Sequence, residues 1–348
     1  MRQWILAKEH IPDMVQAMMA DYRVVGPIAK GPQFDFDVLR APEELRLDYN
    51  TSILPPKAFL QPPQERILTI RLEGEPVAEP VVEAQPTVIL GIHTCDLHAI
   101  PLLDRAFSAD YPAAHYLSRR QHTLLVSLEC LQPCDENSFC KDMGTMTSDD
   151  GYDLHLTDLG AAYLVNVGTP AGEALLARYG QARPASEADI RRLGEVLSAK
   201  WPRFVHRLQF DAADLPTLLG AAYDSPIWKE LGERCLACGT CTNVCPTCYC
   251  FNVLDTVELN LAVAARIRQW DSCQLDEFAR VASGENFREA RAARQRHRML
   301  RKGKYLYERF GLRGCVGCGR CIRACLVHIN ILDTFNAIKC GTRAPVGG

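Results

Sequence analysis

The sequence predicts an α/β or α+β unit over residues 1–225, followed by a mainly helical unit over 226–348 organised by cysteine loops. Three observations predict it. Short β-rich stretches alternate with helical periodicity up to about residue 220. Of the 16 cysteines, 12 fall after residue 230, where they form dense runs. Residues 231–348 carry a net charge of +8 against −11 for the rest, so a basic unit is joined to an acidic one. At 348 residues the chain is long enough for two domains. Its 47% hydrophobic and 23% charged content excludes disordered, collagen-like and coiled-coil readings. No apolar run reaches the roughly 18 residues of a membrane span. The N-terminus MRQWILAKEHIPDM is broken by charges and reads as no secretory signal. A cytoplasmic protein without a membrane partner is expected, and there clustered cysteines read as metal ligands or redox groups.

Taken in order, 7–21 reads as an amphipathic helix, with Ile11, Met14, Val15 and Met18 at helical spacing. Strand patterns follow at 23–28, 68–72, 87–92, 124–128 and 162–167, punctuated by Pro and Gly. The prolines of LPPKAFLQPPQE (54–65) exclude an interior helix or central strand, because they lack the donor N–H. Helical patterns return at 171–179, 186–200 and 214–223. After Trp228 the expectation is cysteine loops joined by helices at 253–269, 274–282 and 288–308, with no strand between the loops.

Two runs share the spacing C-x2-C-x2-C-x3-C. They are Cys235, Cys238, Cys241 and Cys245, then Cys315, Cys318, Cys321 and Cys325. A cubane iron–sulfur cluster needs four thiolates around a compact core, and Gly239 and Gly319 let the backbone approach it. Structural zinc takes C-x2-C pairs set apart by a longer loop, which two runs of four fit poorly. In two-cluster ferredoxins the fourth cysteine of each run serves the other cluster. The spacing therefore assigns Cys235, Cys238, Cys241 and Cys325 to one 4Fe-4S cluster, and Cys315, Cys318, Cys321 and Cys245 to a second. Leu326 stands where the run usually has Pro, which alters the loop after Cys325 and not the ligands. The 69 residues between Cys245 and Cys315 are too many for a compact bacterial ferredoxin.

Four further cysteines, Cys95, Cys130, Cys134 and Cys140, follow two strand ends, and four thiolates suffice for a third cluster. Incidental buried thiols are the alternative. Cys248, Cys250 and Cys273 read as thiols packed beside the clusters, and Cys340 receives no role. His93 and His98 flank Cys95 and read as polar loop residues. Arg291, Arg294, Arg298 and Arg301 share one helical face in a stretch with eight Arg/Lys against one Glu. That face is open to three readings: a solvated surface, compensation of cluster charge, or docking of an acidic partner. No nucleic-acid module surrounds it. No G-x-G-x-x-G after a strand, Walker loop, nucleophile elbow or acid–base pair is visible, so the chain itself offers redox centres without a place for bond chemistry.

The stretches CLACGTCTNVCPTCYCF, RQWDSCQ, VASGENFR and CVGCGRC, with YNTSILPPKAF, GIHTCDLHAI, DGYDLHL and LVNVGTPAG, resemble the beta subunits of cytosolic NAD(P)-linked nickel–iron hydrogenases of the sulfhydrogenase type. They are also similar to the related electron-transfer subunits of anaerobic sulfite reductases. The resemblance spans nearly the whole chain and implies an electron relay. It implies a gamma-type partner with FAD and the NAD(P) site, and hydrogenase small and large subunits, the large one holding the nickel–iron centre. For the sulfite reductase family the partner carries sirohaem. A non-catalytic assembly or sensor module is the reading from another class. The family's C-x-C pair at the end of the 130–140 loop is here Ser138–Phe139–Cys140, which leaves the third cluster open.

Overall fold

The structure, a computed structural model, describes residues 3–341. Its strands are β1 (Gln3–Ala7), β2 (Arg23–Lys30), β3 (Gln33–Val38), β4 (Gln64–Arg71), β5 (Val77–Pro80), β6 (Thr87–His93), β7 (Thr123–Leu128), β8 (Leu154–Asp158), β9 (Ala162–Val167), β10 (Arg183–Pro184), β11 (Phe251–Val257) and β12 (Val263–Trp270). Its α-helices are α1 (Ile11–Met18), α2 (Thr94–Ser108), α3 (Ala114–Gln121), α4 (Pro170–Tyr179), α5 (Glu187–Lys200), α6 (Leu215–Ala221), α7 (Ile227–Arg234), α8 (Thr240–Asn243), α9 (Arg291–Leu300), α10 (Leu306–Phe310), α11 (Arg320–Arg323) and α12 (Ile331–Cys340).

An eight-stranded sheet runs in the order β10-β1-β9-β8-β7-β6-β2-β3. Strands β2, β6, β7 and β8 are parallel neighbours, and antiparallel strands extend the sheet on both sides. Every residue of β6 is buried, as a central parallel strand covered on both faces requires. Alternate side chains feed two cores. Val24, Leu90 and Val126 pack with Met14, Val15 and Leu175 of α1 and α4. Val25, Ile89 and Leu125 pack with Leu97, Leu103 and Tyr116 of α2 and α3. The chain leaves the carboxyl ends of β6 and β7 at Thr94 and Glu129, at the crevice where open α/β sheets carry their sites.

The strand patterns at 23–28, 87–92, 124–128 and 162–167 lie inside β2, β6, β7 and β9, while β1, β3 and β8 carry no such pattern. The expected helix at 253–269 is instead the hairpin β11–β12, with Phe251 opposite Trp270. Its cause is long-range: β12 also pairs with β4, giving a second sheet β11-β12-β4-β5 that unites the two parts of the chain. Arg268 Nε donates to Glu65 Oε1 at 2.7 Å across that pairing. Residues 274–282 hold only one tight turn, Glu277–Ala279. Over 288–308 the helical expectation survives as α9 and α10, joined by a π-helical turn at Arg301–Tyr305. The cysteine-rich part is thus mixed helix and hairpin, and its helices α6, α7, α9 and α12 close a core on Leu219, Trp228, Met299 and Phe335. Among the described residues no helix is long and apolar enough to cross a membrane.

Candidate metal centres

The two cysteine loops are built alike. Gly239 (φ 79°) and Gly319 (φ 74°) lie in the left-handed region, where glycine meets no Cβ penalty, and each starts a one-turn helix, α8 or α11. A pocket opens between the loops, lined by Cys235, Cys238, Cys241 and Cys325 together with Gln295 and Arg298. Its sulfurs already accept hydrogen bonds. Gln295 Nε2 donates to Cys235 Sγ at 2.9 Å, and the Ile329 N–H to Cys325 Sγ at 3.2 Å. Cys238 is exposed, and the Thr240 hydroxyl beside it holds its thiol below the usual range. Cys245, Cys315, Cys318 and Cys321 form a second group, Cys315 buried and the other three half-buried, within reach of one another's charge.

Cys95, Cys130, Cys134 and Cys140 form a third group at the ends of β6 and β7. The Thr94 hydroxyl faces Cys130 Sγ at 3.6 Å, and His93 Nδ1 lies 3.9 Å from Cys134 Sγ. Burial, with the Arg320 charge, pushes His93 down to about 3, so the ring is neutral. His98 points away and meets Thr147 O at 2.8 Å. The second cysteine loop lies directly on the third group. A Cβ at Gly317 would meet Phe139 O at 2.6 Å, and one at Gly319 would meet the Asn137 carbonyl carbon at 2.8 Å. The glycines of CVGCGRC therefore let Cys318 approach Cys95 and Cys140. At the other end Cys241 and Cys321 share Arg298. The second group thus neighbours both of the others.

Buried cations mark these groups. Arg298 and Lys302 are 3% and 5% exposed, and neither has a carboxylate partner among the described residues. Arg298 Nε has no hydrogen-bond partner among the described residues. Burial alone would push the Arg298 guanidinium down, but the sulfurs of Cys241, Cys321, Cys245 and Cys248 hold it up. Lys302 is likewise held up against burial by Cys245 and Cys248. A buried cation without an anion is costly, so these positions fit an anionic group bound by the thiolates. No set of three or more His, Cys, Asp or Glu among the described residues is gathered tightly enough for a single metal ion. A cubane, wider than one ion, sets its four thiolates farther apart.

Two of the four arginines proposed for docking are turned inward and so leave that surface. Arg294 and Arg298 are buried, and Arg294 Nη1 pairs with Asp276 at 2.5 Å. Arg291 keeps one exposed edge but donates to Cys235 O at 2.7 Å, and Arg301 stacks 4.6 Å from the Tyr249 ring. The π-helical turn after α9 is what turns Lys302 inward to meet Thr247 Oγ1 at 2.5 Å. Sequence reasoning missed Gln274, Gln295, Lys200 and Arg320, because amide and charged residues buried at a site have no spacing signature. Lys200 pairs with Glu129, which also takes His155 Nε2 at 3.0 Å, directly before Cys130. Cys340, at the end of α12, is exposed and joins no group.

Residues 234–329 match the 4Fe-4S dicluster domain family. The chain is 34% identical over 337 residues to the protein named sulfhydrogenase 2 subunit beta of Pyrococcus furiosus, covering 96% of this chain and 98% of that one. No solved structure matches.

Proposed function

The chain belongs to the sulfhydrogenase beta-subunit family, and on that premise we propose how it works as an iron–sulfur electron-transfer component of a hydrogenase. Cys235, Cys238, Cys241 and Cys325 hold one 4Fe-4S cluster, and Cys245, Cys315, Cys318 and Cys321 a second. Cys95, Cys130, Cys134 and Cys140 hold a third. A cluster at each position supplies one-electron redox chemistry. The chain's residues set the order: Arg298 bridges Cys241 and Cys321, and Cys318 meets Cys95 and Cys140. The observation that carries this reading is the pair of buried cations, Arg298 and Lys302, that face sulfur and no carboxylate. The partners in this reading are the hydrogenase small and large subunits, with a gamma-type subunit that binds flavin and NAD(P), in a cytoplasmic complex.

Iron content tests it. Anaerobically purified chain is expected to carry twelve irons, falling to eight in C134A and in C95A while the Cys235 and Cys315 groups keep theirs. Eight irons in the wild type would remove the third site, and a zinc-loaded, colourless chain would remove all three. In the native complex, stoichiometric nickel without sirohaem is expected; sirohaem without nickel would transfer the chain to sulfite reduction.

Assembly should also release protons. Burial pushes Cys140 and Cys241 up to about 12 and Cys318 up to about 11, so the apo thiols keep their protons at neutral pH. Thiols bind iron as thiolates, so each gives up its proton on ligation. Because the apo pKa values lie above the assay range, binding strengthens as pH rises from about 7 to 9. In weak buffer, a pH dye should report release approaching one proton for each ligating thiol that burial holds up, with Cys245, which the Cys248 thiol and Lys302 pull down, contributing little; release near zero would contradict it.

A further inference from the structure

Two thiols outside the three groups lie side by side, Cys273 buried and Cys250 half-buried. Cys250 immediately precedes β11, and its carbonyl accepts the Asp271 N–H at 3.0 Å, which brings Cys273 alongside. The Cys250 and Cys273 side chains act on each other in the sense that leaves the proton on Cys250. Gln274 Nε2 donates to the same sulfur at 3.4 Å. Gln295 Nε2 donates to Gln274 Oε1 at 2.8 Å and to Cys235 Sγ at 2.9 Å. Both glutamines are 1% exposed. A continuous bridge, Cys273–Gln274–Gln295–Cys235, therefore joins this thiol pair to the first metal site. Arg298 and Arg301 act on Cys273 as well and favour its thiolate.

We infer that Cys250 and Cys273 are a redox-active dithiol, a two-electron station wired to the one-electron relay through Gln274 and Gln295. The inference rests on the clusters of the proposed function, which are the electron donor. Reduction breaks the Cys250–Cys273 S–S bond. Two electrons arrive singly from reduced 4Fe-4S centres, one proton goes to Cys250, and Cys273 stays as the thiolate that Gln274 and the arginines hold. Oxidation runs the reverse, reforming the bond, releasing the proton from Cys250 and returning the electrons one at a time. Hydrogen and hydride carriers give electrons in pairs, whereas each cluster carries one. A dithiol beside the clusters stores the second electron.

The test uses the full-length chain with its clusters, iron counted beforehand. Oxidised protein is titrated with dithionite under argon. Wild type is expected to take two electrons per chain beyond one for each four irons. C250S and C273S should lose those two while keeping iron and cluster absorbance, and C340S should keep them. In parallel, oxidised and reduced wild type are unfolded in iodoacetamide and digested. The Cys250 and Cys273 peptides should be disulfide-linked in the oxidised sample and both alkylated in the reduced one. Uptake equal to the cluster number, with both cysteines alkylated in the oxidised sample, would overturn the inference. An iron-free chain would instead count against the proposed relay, and the linked peptide in that chain would still report on the thiol pair.

Discussion

Replacing Arg320 by methionine is expected to destabilise the chain by about 3–5 kcal/mol, because Asp96 would be left charged and buried with no partner. The two side chains are 2% and 0% exposed, and the guanidinium meets both carboxylate oxygens at 2.6 Å. The remaining donors reach Ser52 O at 3.0 Å and Ser52 Oγ at 2.9 Å. One side chain of the second cysteine loop thus fastens the start of α2 and the segment ahead of the proline stretch. Lysine cannot reproduce that planar fork, so R320K should recover only part of the loss. The double variant R320M/D96L should recover most of it, since removing both ends leaves no lone charge. Urea unfolding of the iron-loaded proteins measures this. A loss under about 1 kcal/mol in R320M, the value of a surface pair, would show that Asp96 is not held as described.

Arg320 also shows what the sequence could and could not reveal. Its neighbours Cys318 and Cys321 were legible, because ligands to one cluster are close in sequence and their spacing is a local property. The partner Asp96 lies 224 residues away, and nothing in GIHTCDLHAI announces an arginine. The same asymmetry runs through the fold. Strand β6 was legible from its apolar run, since a doubly covered strand is apolar on both faces. Strands β11 and β12 were not. The hairpin's own residues, including Ala264, Ala265 and Leu254, suit a helix as well, and β4 decides the matter by pairing from nearly 200 positions away. The arginines of α9 were correctly placed on a helix, while their surroundings stayed open between solvent, cluster charge and a partner. A run of basic residues reads as solvated unless the anion that buries it is known, and here the sulfurs that face it come from two separate loops.

Exchanging Arg298 for methionine is expected to lower the reduction potentials at both the first and second cysteine groups. A reduced cluster is more negative than an oxidised one, so a neighbouring cation favours the reduced form and its removal disfavours it. A charged hydrogen bond contributes about 1.5–3 kcal/mol, which for one electron corresponds to about 60 to 130 mV. Arg298 faces Cys241 of the first group and Cys321 and Cys245 of the second. Lys302 faces Cys245 and Cys315, both of the second group. R298M should therefore shift two centres and K302M one, while R298K should restore much of the shift because charge outweighs fork geometry at a sulfur cage. Redox titration followed by electron paramagnetic resonance separates these patterns. Equal shifts of one centre in R298M and K302M would mean that Arg298 serves a single group. Unchanged potentials in R298M would mean that the wild-type guanidinium is compensated by no cluster, and with no carboxylate partner among the described residues its burial would cost several kcal/mol that the fold has no evident means to offset.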